Sequence, residues 1–537
     1  MSAADDLAFA LTRVFDLPGL TAAAGQPLAA EDIAAILSEA ARFAAAELAP
    51  GSQAADRQGA RYENGRVTTP PHYRQAYRAW VKGGWQGLSA PAEHGGQGLP
   101  HSLWVAVLEL CSAADMAFML CPVLGAGAAD LLAGHATAEQ AARLLPPLVS
   151  GEWTASMCLT EPQAGSDLST LRTRAEPDGA GRYRLHGQKI YITWGEHDLA
   201  ENTLHLVLAR LPDAPPGSRG ISLFAAPKRL PDGAPNALRC GGIEHKMGIH
   251  ASPTCVMLFE GAEAEMIGEP HRGLPAMFAM MNAARLAVGV QGVGQSVRAL
   301  SLAAPFAEQR EQSGKPIARH PDVARMLAEM RAIAWASRLI CLSAAVALDR
   351  AALFADEAAR TRLALLTPIA KAWCSDRGVE VASLGVQVHG GMGYVEDAGA
   401  AQVLRDARIA PIYEGTNGIQ AIDLVTRKVA KDGGAAMRAL IAEAEAEDPR
   451  LAPAAAALAR ATAWILEAQS RDPALAQASA AAYLDAAGWL WGGALLARAA
   501  KADAALAPLA AFYLARLLPR AESRVREAEA GEAVLAL

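Results

Sequence analysis

Apolar positions three and four residues apart run through most of this chain and give way to another texture between about 155 and 270. Val323, Met326, Leu327, Met330, Ile333, Ala334, Ser337 and Cys341 share one helical face. The same period predicts helices over 274–309, 322–350, 358–389 and 419–430, enough for a four-helix layer. Upstream, residues 30–150 read as helices rich in alanine and leucine, such as 31–48 and 102–113, broken by a glycine-rich turn at 94–98. Between the two helical regions, 183–193, 204–210, 220–227 and 255–259 are short runs separated by Asp-Gly, Pro-Pro-Gly and Pro-Asp-Gly turns, the mark of a small β domain. Beyond Gly433 the chain is rich in alanine, with breaks at Pro473 and Pro508 and no internal repeat. The expectation is an α+β chain, mainly α: a helical domain at 1–154, a β domain at 155–272, a four-helix domain at 273–433 and an appended helical domain at 434–537.

Composition narrows the class. At 537 residues the chain is too long for one ordinary core, and 52% hydrophobic with 20% charged residues argues against disorder. A net charge of −7 gives no electrostatic reason to expect nucleic acid. The seven cysteines (Cys111, Cys121, Cys158, Cys240, Cys255, Cys341 and Cys374) form no Cys-x-x-Cys pair, so neither a metal site nor a disulfide framework is indicated. Asp5, Asp6 and Asp16 occupy the N-terminal stretch where a basic leader would carry Lys or Arg. The uncharged run at 486–497, between Asp485 and Arg498, falls short of the roughly 18–20 residues that span a bilayer. A cytoplasmic protein without a membrane span is expected.

Candidate chemistry sits in two distant segments. Ile412-Tyr413-Glu414-Gly415-Thr416-Asn417 places a carboxylate between an aromatic residue and a glycine-threonine turn, with little other charge nearby. A partly desolvated carboxylate has a raised pKa and makes a better general base; alone, such a Glu is more often a solvated loop acid or a cap. The second segment is Met157-Cys158-Leu159-Thr160-Glu161-Pro162-Gln163-Ala164-Gly165-Ser166-Asp167. Gly289, Gly292 and Gly294 mimic a dinucleotide fingerprint but lie in a helical run rather than after a strand, so close helix packing explains them better.

In order and spacing the two segments and the β domain resemble an acyl-CoA dehydrogenase over nearly the whole chain. The runs at 195–202, 244–250 and 281–285 resemble the branch with a C-terminal extension that includes the 3-methylmercaptopropionyl-CoA dehydrogenases. The resemblance implies FAD as cofactor. Thr160 would bond the flavin ring, Ser166 would lie by the pyrophosphate and pantetheine, and Tyr191 and Thr193 of Lys189-Ile190-Tyr191-Ile192-Thr193 would flank the flavin. Arg310 matches an arginine that reaches a flavin pyrophosphate from a neighbouring subunit. Gln387 and Gly391 match the family's Gln-x-x-Gly-Gly, and Thr416 a contact to the diphosphate. Asn282, Arg285 and Gly415 match positions near the acyl-CoA, with helix packing the alternative for Asn282 and Arg285.

Glu414 is then the expected general base of α,β-desaturation, with hydride passing to flavin N5 and electrons to an electron-transfer flavoprotein, in a homodimer or homotetramer. An acyl-CoA oxidase is an alternative from the same chemistry. A non-catalytic flavin-binding protein of the DNA-repair-associated branch is another, disfavoured by the intact Glu414 and by the acidic Glu443, Glu445 and Glu447 in the appended region. Three positions depart from the family pattern: Trp194 in place of Asn, Ser313 in place of an aromatic, and Gly418 in place of Gln.

Overall fold

The structure, a computed structural model, describes residues 2–179 and 181–536. Its compact units interleave along the chain. One takes residues up to Ala44, Pro100–Ala114 and Arg285 onward; the other takes Ala45–Leu99 and Asp115–Ala284.

The second unit is built on a seven-stranded sheet. Its path runs Trp153–Cys158, Asn202–Arg210, Arg174–Pro177, Tyr183–Thr193, Thr254–Ile267 and Ile221–Pro227, with Leu238–Ile243 also pairing on Thr254–Ile267. A further antiparallel pairing of Asn202–Arg210 with Ile221–Pro227 closes the path on itself. This explains why Asn202–Arg210 is buried along nearly its whole length instead of alternating. Leu185, Ile192, Val207, Phe224, Met257 and Phe259 fill the interior. The last long strand reaches Ile267, well past the end expected at residue 259. Glu260-Gly261 reads as a turn in sequence, but the ladder absorbs Gly261 (φ +94°) as the extra residue of a bulge between Leu185↔Ala262 and His186↔Glu260. A small hairpin, Arg61–Glu63 with Arg66–Thr68, interrupts the helices of this unit around Asn64-Gly65, both at positive φ.

The other unit is helical. Its long members are Gly273–Gln309 (from Arg285 onward), Pro321–Phe354 and Glu357–His389, followed by Asn417–Asp423. The C-terminal helices Ala435–Glu447, Ala452–Arg471, Pro473–Ala502, Ala507–Arg516 and Pro519–Glu529 belong to the same unit. Pro473 and Pro508 stand in the first turns of their helices, where a missing N–H costs nothing. Gly292 sets the spacing of two long helices: a Cβ there would lie 2.3 Å from the Cys374 carbonyl oxygen, and one on Gly378 would lie 2.8 Å from the Gly292 Cα. Inside the bundle, the Arg338 guanidinium forks onto Glu109 at 2.6 and 2.9 Å, both side chains being buried.

Met116–His135, Gly273–Gln309 and Pro321–Phe354 are long and apolar enough to cross a membrane, but 83, 61 and 89% of their apolar windows are buried within the protein. Met116–His135 holds an uncharged run at 116–129 that is longer than the one at 486–497 yet still short of a bilayer span.

Candidate active site

Glu414 stands in the turn between the helices Ala400–Ala407 and Asn417–Asp423, with φ at +57° and Gly415 following at +82°. A left-handed glutamate costs of order 1–3 kcal/mol and persists only where its surroundings over-determine it. Here they do. The Thr416 hydroxyl caps the following helix by accepting from the Ile419 N–H at 3.2 Å. Asn417 donates to the Ala372 carbonyl at 3.1 Å, Ser375 Oγ at 3.0 Å and Asp376 Oδ1 at 2.8 Å, and its own Oδ1 accepts from Lys371 Nζ at 2.8 Å. Tyr413 donates its phenolic hydroxyl to Gln291 Oε1. A Cβ on Gly415 would strike Gln420 Nε2 at 2.9 Å and come within 3.9 Å of Arg285 Nη2, so the Arg285 guanidinium lies beside the turn.

The electrostatics follow from burial. Loss of solvation raises the Glu414 carboxyl from 4.5 to about 7, against the opposing pull of Arg285 and Lys371. Burial likewise lowers Lys371 from 10.5 to about 7, with Glu414 and Asp376 resisting and Arg285 adding to the drop. Arg285 is lowered for the same reason and Asp376 raised. A carboxyl titrating near neutrality, beside a buried guanidinium and a buried lysine that titrates in the same range, is suited to taking a proton from a weak carbon acid.

A second group of expected residues lies in the sheet unit. Thr160 accepts through its carbonyl from the Ile190 N–H at 2.9 Å, which sets the Thr160 segment beside the strand Tyr183–Thr193. That strand bulges between Lys189 and Ile192; Tyr191 takes φ +58° there and its side chain is 60% exposed. Neither the Thr160 nor the Thr193 hydroxyl has a hydrogen-bond partner among the described residues. Beneath the loop lies a buried ion pair that sequence reasoning missed: Lys189 Nζ donates to Glu161 Oε1 at 2.8 Å and to the Leu159 carbonyl at 2.9 Å. Ser166 and Asn282 are exposed, and the neighbouring Asp167, not Ser166, caps the short helix Leu168–Thr170. Trp194 packs into the core, its ring stacked at 6.1 Å on Tyr73.

Arg310, Gln387 and Gly391 gather at one end of the helical unit, all exposed. Phe306 and His389 stack at 4.5 Å and so join the two helix ends that carry them. Sixteen residues separate Lys371 from Gln387 on one helix, so this end lies about 24 Å from the Glu414 turn at 1.5 Å per residue. Ser313 turns the hairpin after Arg310 with φ +51°, and Gly418 is exposed in the first turn of the helix Asn417–Asp423.

Lys371, Asp376 and Gln291 also escaped sequence reading. A lone lysine in the apolar stretch 365–374 was a signal for the first; for the others only tertiary packing speaks.

Models of the acyl-CoA dehydrogenase N-terminal, middle and C-terminal domains match residues 30–152, 156–262 and 271–430, and an acetyl-CoA dehydrogenase C-terminal-like domain matches 434–537. The chain is 48% identical over 447 residues to the 3-methylmercaptopropionyl-CoA dehydrogenase of Ruegeria pomeroyi, covering 80% of this chain and 76% of the relative. It is 35% identical over 428 residues to a butyryl-CoA dehydrogenase of Syntrophomonas wolfei, covering 74% and 70%. Among solved structures, butyryl-CoA dehydrogenase from Megasphaera elsdenii superposes with a TM-score of 0.64 at 28% identity over 73% of this chain and 96% of its own. An acyl-CoA dehydrogenase complexed with FAD from Bacillus anthracis shares the fold at a TM-score of 0.80 and 21% identity over 94% and 90%. The chain belongs to the acyl-CoA dehydrogenase family and is an oxidoreductase acting on CH–CH bonds.

Proposed function

We propose that this protein is an FAD-dependent dehydrogenase that desaturates an acyl-CoA thioester between its α and β carbons, with Glu414 as the general base. The observation that carries the reading is the Glu414 carboxyl, held in a strained turn between Arg285 and Lys371 and raised to about 7. Once ionised, it takes the α proton of the thioester onto a carboxylate oxygen. The Glu414 backbone N–H meets no acceptor among the described residues and can donate to the thioester carbonyl as enolate charge develops there; such donors are worth several kcal/mol.

The residues present fit a flavin. An exposed aromatic ring at Tyr191 stands beside two hydroxyls without partners, Thr160 and Thr193, and Gly390 (φ +61°) and Gly391 leave open space around their backbone. Thr160, Ser166, Tyr191, Thr193 and Thr416 would hold the cofactor, and Asn282, Arg285, Ser166 and Gly415 the acyl-CoA. When bound, FAD supplies the two-electron acceptor for the hydride that leaves the β carbon. Arg310, Gln387 and Gly391, some 24 Å along the helix from Lys371, would serve the flavin of a second copy, which makes the working form a homodimer or larger.

Electron-transfer flavoprotein is the proposed acceptor and the cytoplasm the proposed compartment, in keeping with seven free, buried cysteines. The relative from Ruegeria pomeroyi puts 3-methylmercaptopropionyl-CoA first among substrates to try, and those from Syntrophomonas wolfei put butyryl-CoA second. Adding either to the yellow holoenzyme without oxygen should bleach the oxidised-flavin absorbance; a panel of acyl-CoAs that leaves it unchanged would refute the reading.

A further inference from the structure

The Glu414 turn is fastened from behind by groups that take no part in removing the proton. Lys371 is completely buried, and its Nζ is seated on Asn417 Oδ1 at 2.8 Å. Asn417 in turn grips the same helix through Ala372, Ser375 and Asp376, so one side chain ties the base-bearing turn to the helix Glu357–His389 at four points. Behind this seat stands Pro473–Ala502, a helix of the C-terminal region that packs against both Asn417–Asp423 and Glu357–His389. Trp489 meets Trp373 edge-on at 5.0 Å, and a Cβ on Gly488 would lie 2.2 Å from the Trp373 ring. Arg377, next to Asp376, lies 4.9 Å from the Trp489 ring and 3.8 Å from Asp485. Lys371 and Trp373 are both fully buried behind this wall, and low solvent access keeps charge–charge interactions there strong.

Resting on the assignment of Glu414 as base, we infer that Lys371 is a positioning residue for it: its ammonium, seated by Asn417 and walled in by the helix Pro473–Ala502, fixes the turn and favours the ionised carboxylate. The charged groups around the turn are consistent in sign. Arg285 faces it from the helix Gly273–Gln309 and Lys371 from Glu357–His389; both favour the carboxylate, whose burial opposes it. Asp376 offsets Lys371 from the same helix, Asp406 approaches Tyr413, and Asp423 and Arg427 act on Arg285 from the far side. Asp485 faces Asp376 from the helix Pro473–Ala502. A hydrogen bond to Asn417 Oδ1 ties Lys371 directly to the 412–417 segment.

The test is the pH profile of anaerobic flavin reduction by acyl-CoA in the full-length holoenzyme, for the wild type, Lys371→Met, Lys371→Arg and Glu414→Gln. Removing the cation should move the acid limb of Lys371→Met upward by about one pH unit and lower kcat at neutral pH with little change in KM, and Lys371→Arg should restore both. An acid limb that stays in place in flavin-bound Lys371→Met overturns the inference. If that variant does not accumulate as yellow protein, Asn417→Ala, which keeps the ammonium and removes its seat, is read the same way: a lowered kcat with a displaced limb supports the inference, and a wild-type profile overturns it. Glu414→Gln separates the two layers. Reduction of that variant at a rate near that of the wild type would refute the base assignment itself, whereas its loss alongside an unmoved Lys371→Met limb would refute only the role of Lys371.

Discussion

Replacing Lys189 by methionine would leave a carboxylate buried beneath the Thr160 loop without its cation. Glu161 accepts five hydrogen bonds: from Lys189 Nζ (2.8 Å), the Arg172 N–H (2.7 Å), the Thr173 N–H and hydroxyl (3.0 and 2.6 Å) and Gln163 Nε2 (2.7 Å). Despite burial, the lysine and these donors bring its pKa from 4.5 down to about 2, a drop worth about 3 kcal/mol at 1.36 kcal/mol per pH unit. Because the folded value lies below the unfolded one, this contribution is complete above pH 4.5 and is lost as the pH falls through about 2. Burial lowers Lys189 from 10.5 to about 8, a cost of similar size, so the pair as a whole is close to neutral against an apolar replacement. Breaking it from one side is not neutral: a buried charge left alone typically costs about 3–5 kcal/mol. Lys189→Met should therefore lower the Tm of the sheet unit by roughly 10 °C and loosen flavin retention. The double variant Glu161→Gln/Lys189→Met should recover much of the loss. Thermal unfolding followed by circular dichroism, with flavin release read by fluorescence, measures both. A single variant that melts within about 2 °C of the wild type and keeps its flavin would show that Glu161 does not depend on its lysine.

Two further predictions concern the helical unit. The rate of flavin reduction should rise with pH through about 7 as Glu414 ionises, falling about tenfold per pH unit below that value; a profile flat between pH 5 and 8, in stopped-flow at saturating acyl-CoA, would contradict the raised carboxyl. Gly292→Val should force apart the helices Gly273–Gln309 and Glu357–His389, since a Cβ there already meets the Cys374 carbonyl at 2.3 Å. A loss of at least about 1–3 kcal/mol in denaturant unfolding is expected.

Much of this architecture was legible because its signals are local. The helical period found Pro321–Phe354 and Glu357–His389 to within a few residues, and the turn-bounded run at 183–193 is the observed strand. The charge-poor stretch around Glu414 hinted at the desolvation that raises its carboxyl, whereas its expected role as base came from the family resemblance and not from composition. Long-range packing was not legible. The strand Thr254–Ile267 continues through Glu260-Gly261 because its partner strand accommodates a bulge, a fact about the pairing and not about the run itself. Lys371 looks like any helical lysine until tertiary structure removes it from water and sets Asn417 against it. Nor could the interleaving of the units be read along the chain, since residues up to Ala44 and Pro100–Ala114 cluster with segments hundreds of residues later. Arg338, which pairs with Glu109 across 229 positions, shows how such clustering is held.

Whether Glu414 removes the α proton is read by anaerobic titration of the holoenzyme. Wild-type protein and Glu414→Gln, both loaded with flavin, are titrated side by side with 3-methylmercaptopropionyl-CoA and butyryl-CoA while the oxidised-flavin absorbance is followed. Bleaching of the wild type, with the variant binding the thioester but remaining yellow, is the predicted result. Bleaching of Glu414→Gln at a rate near that of the wild type would contradict the account and require another base.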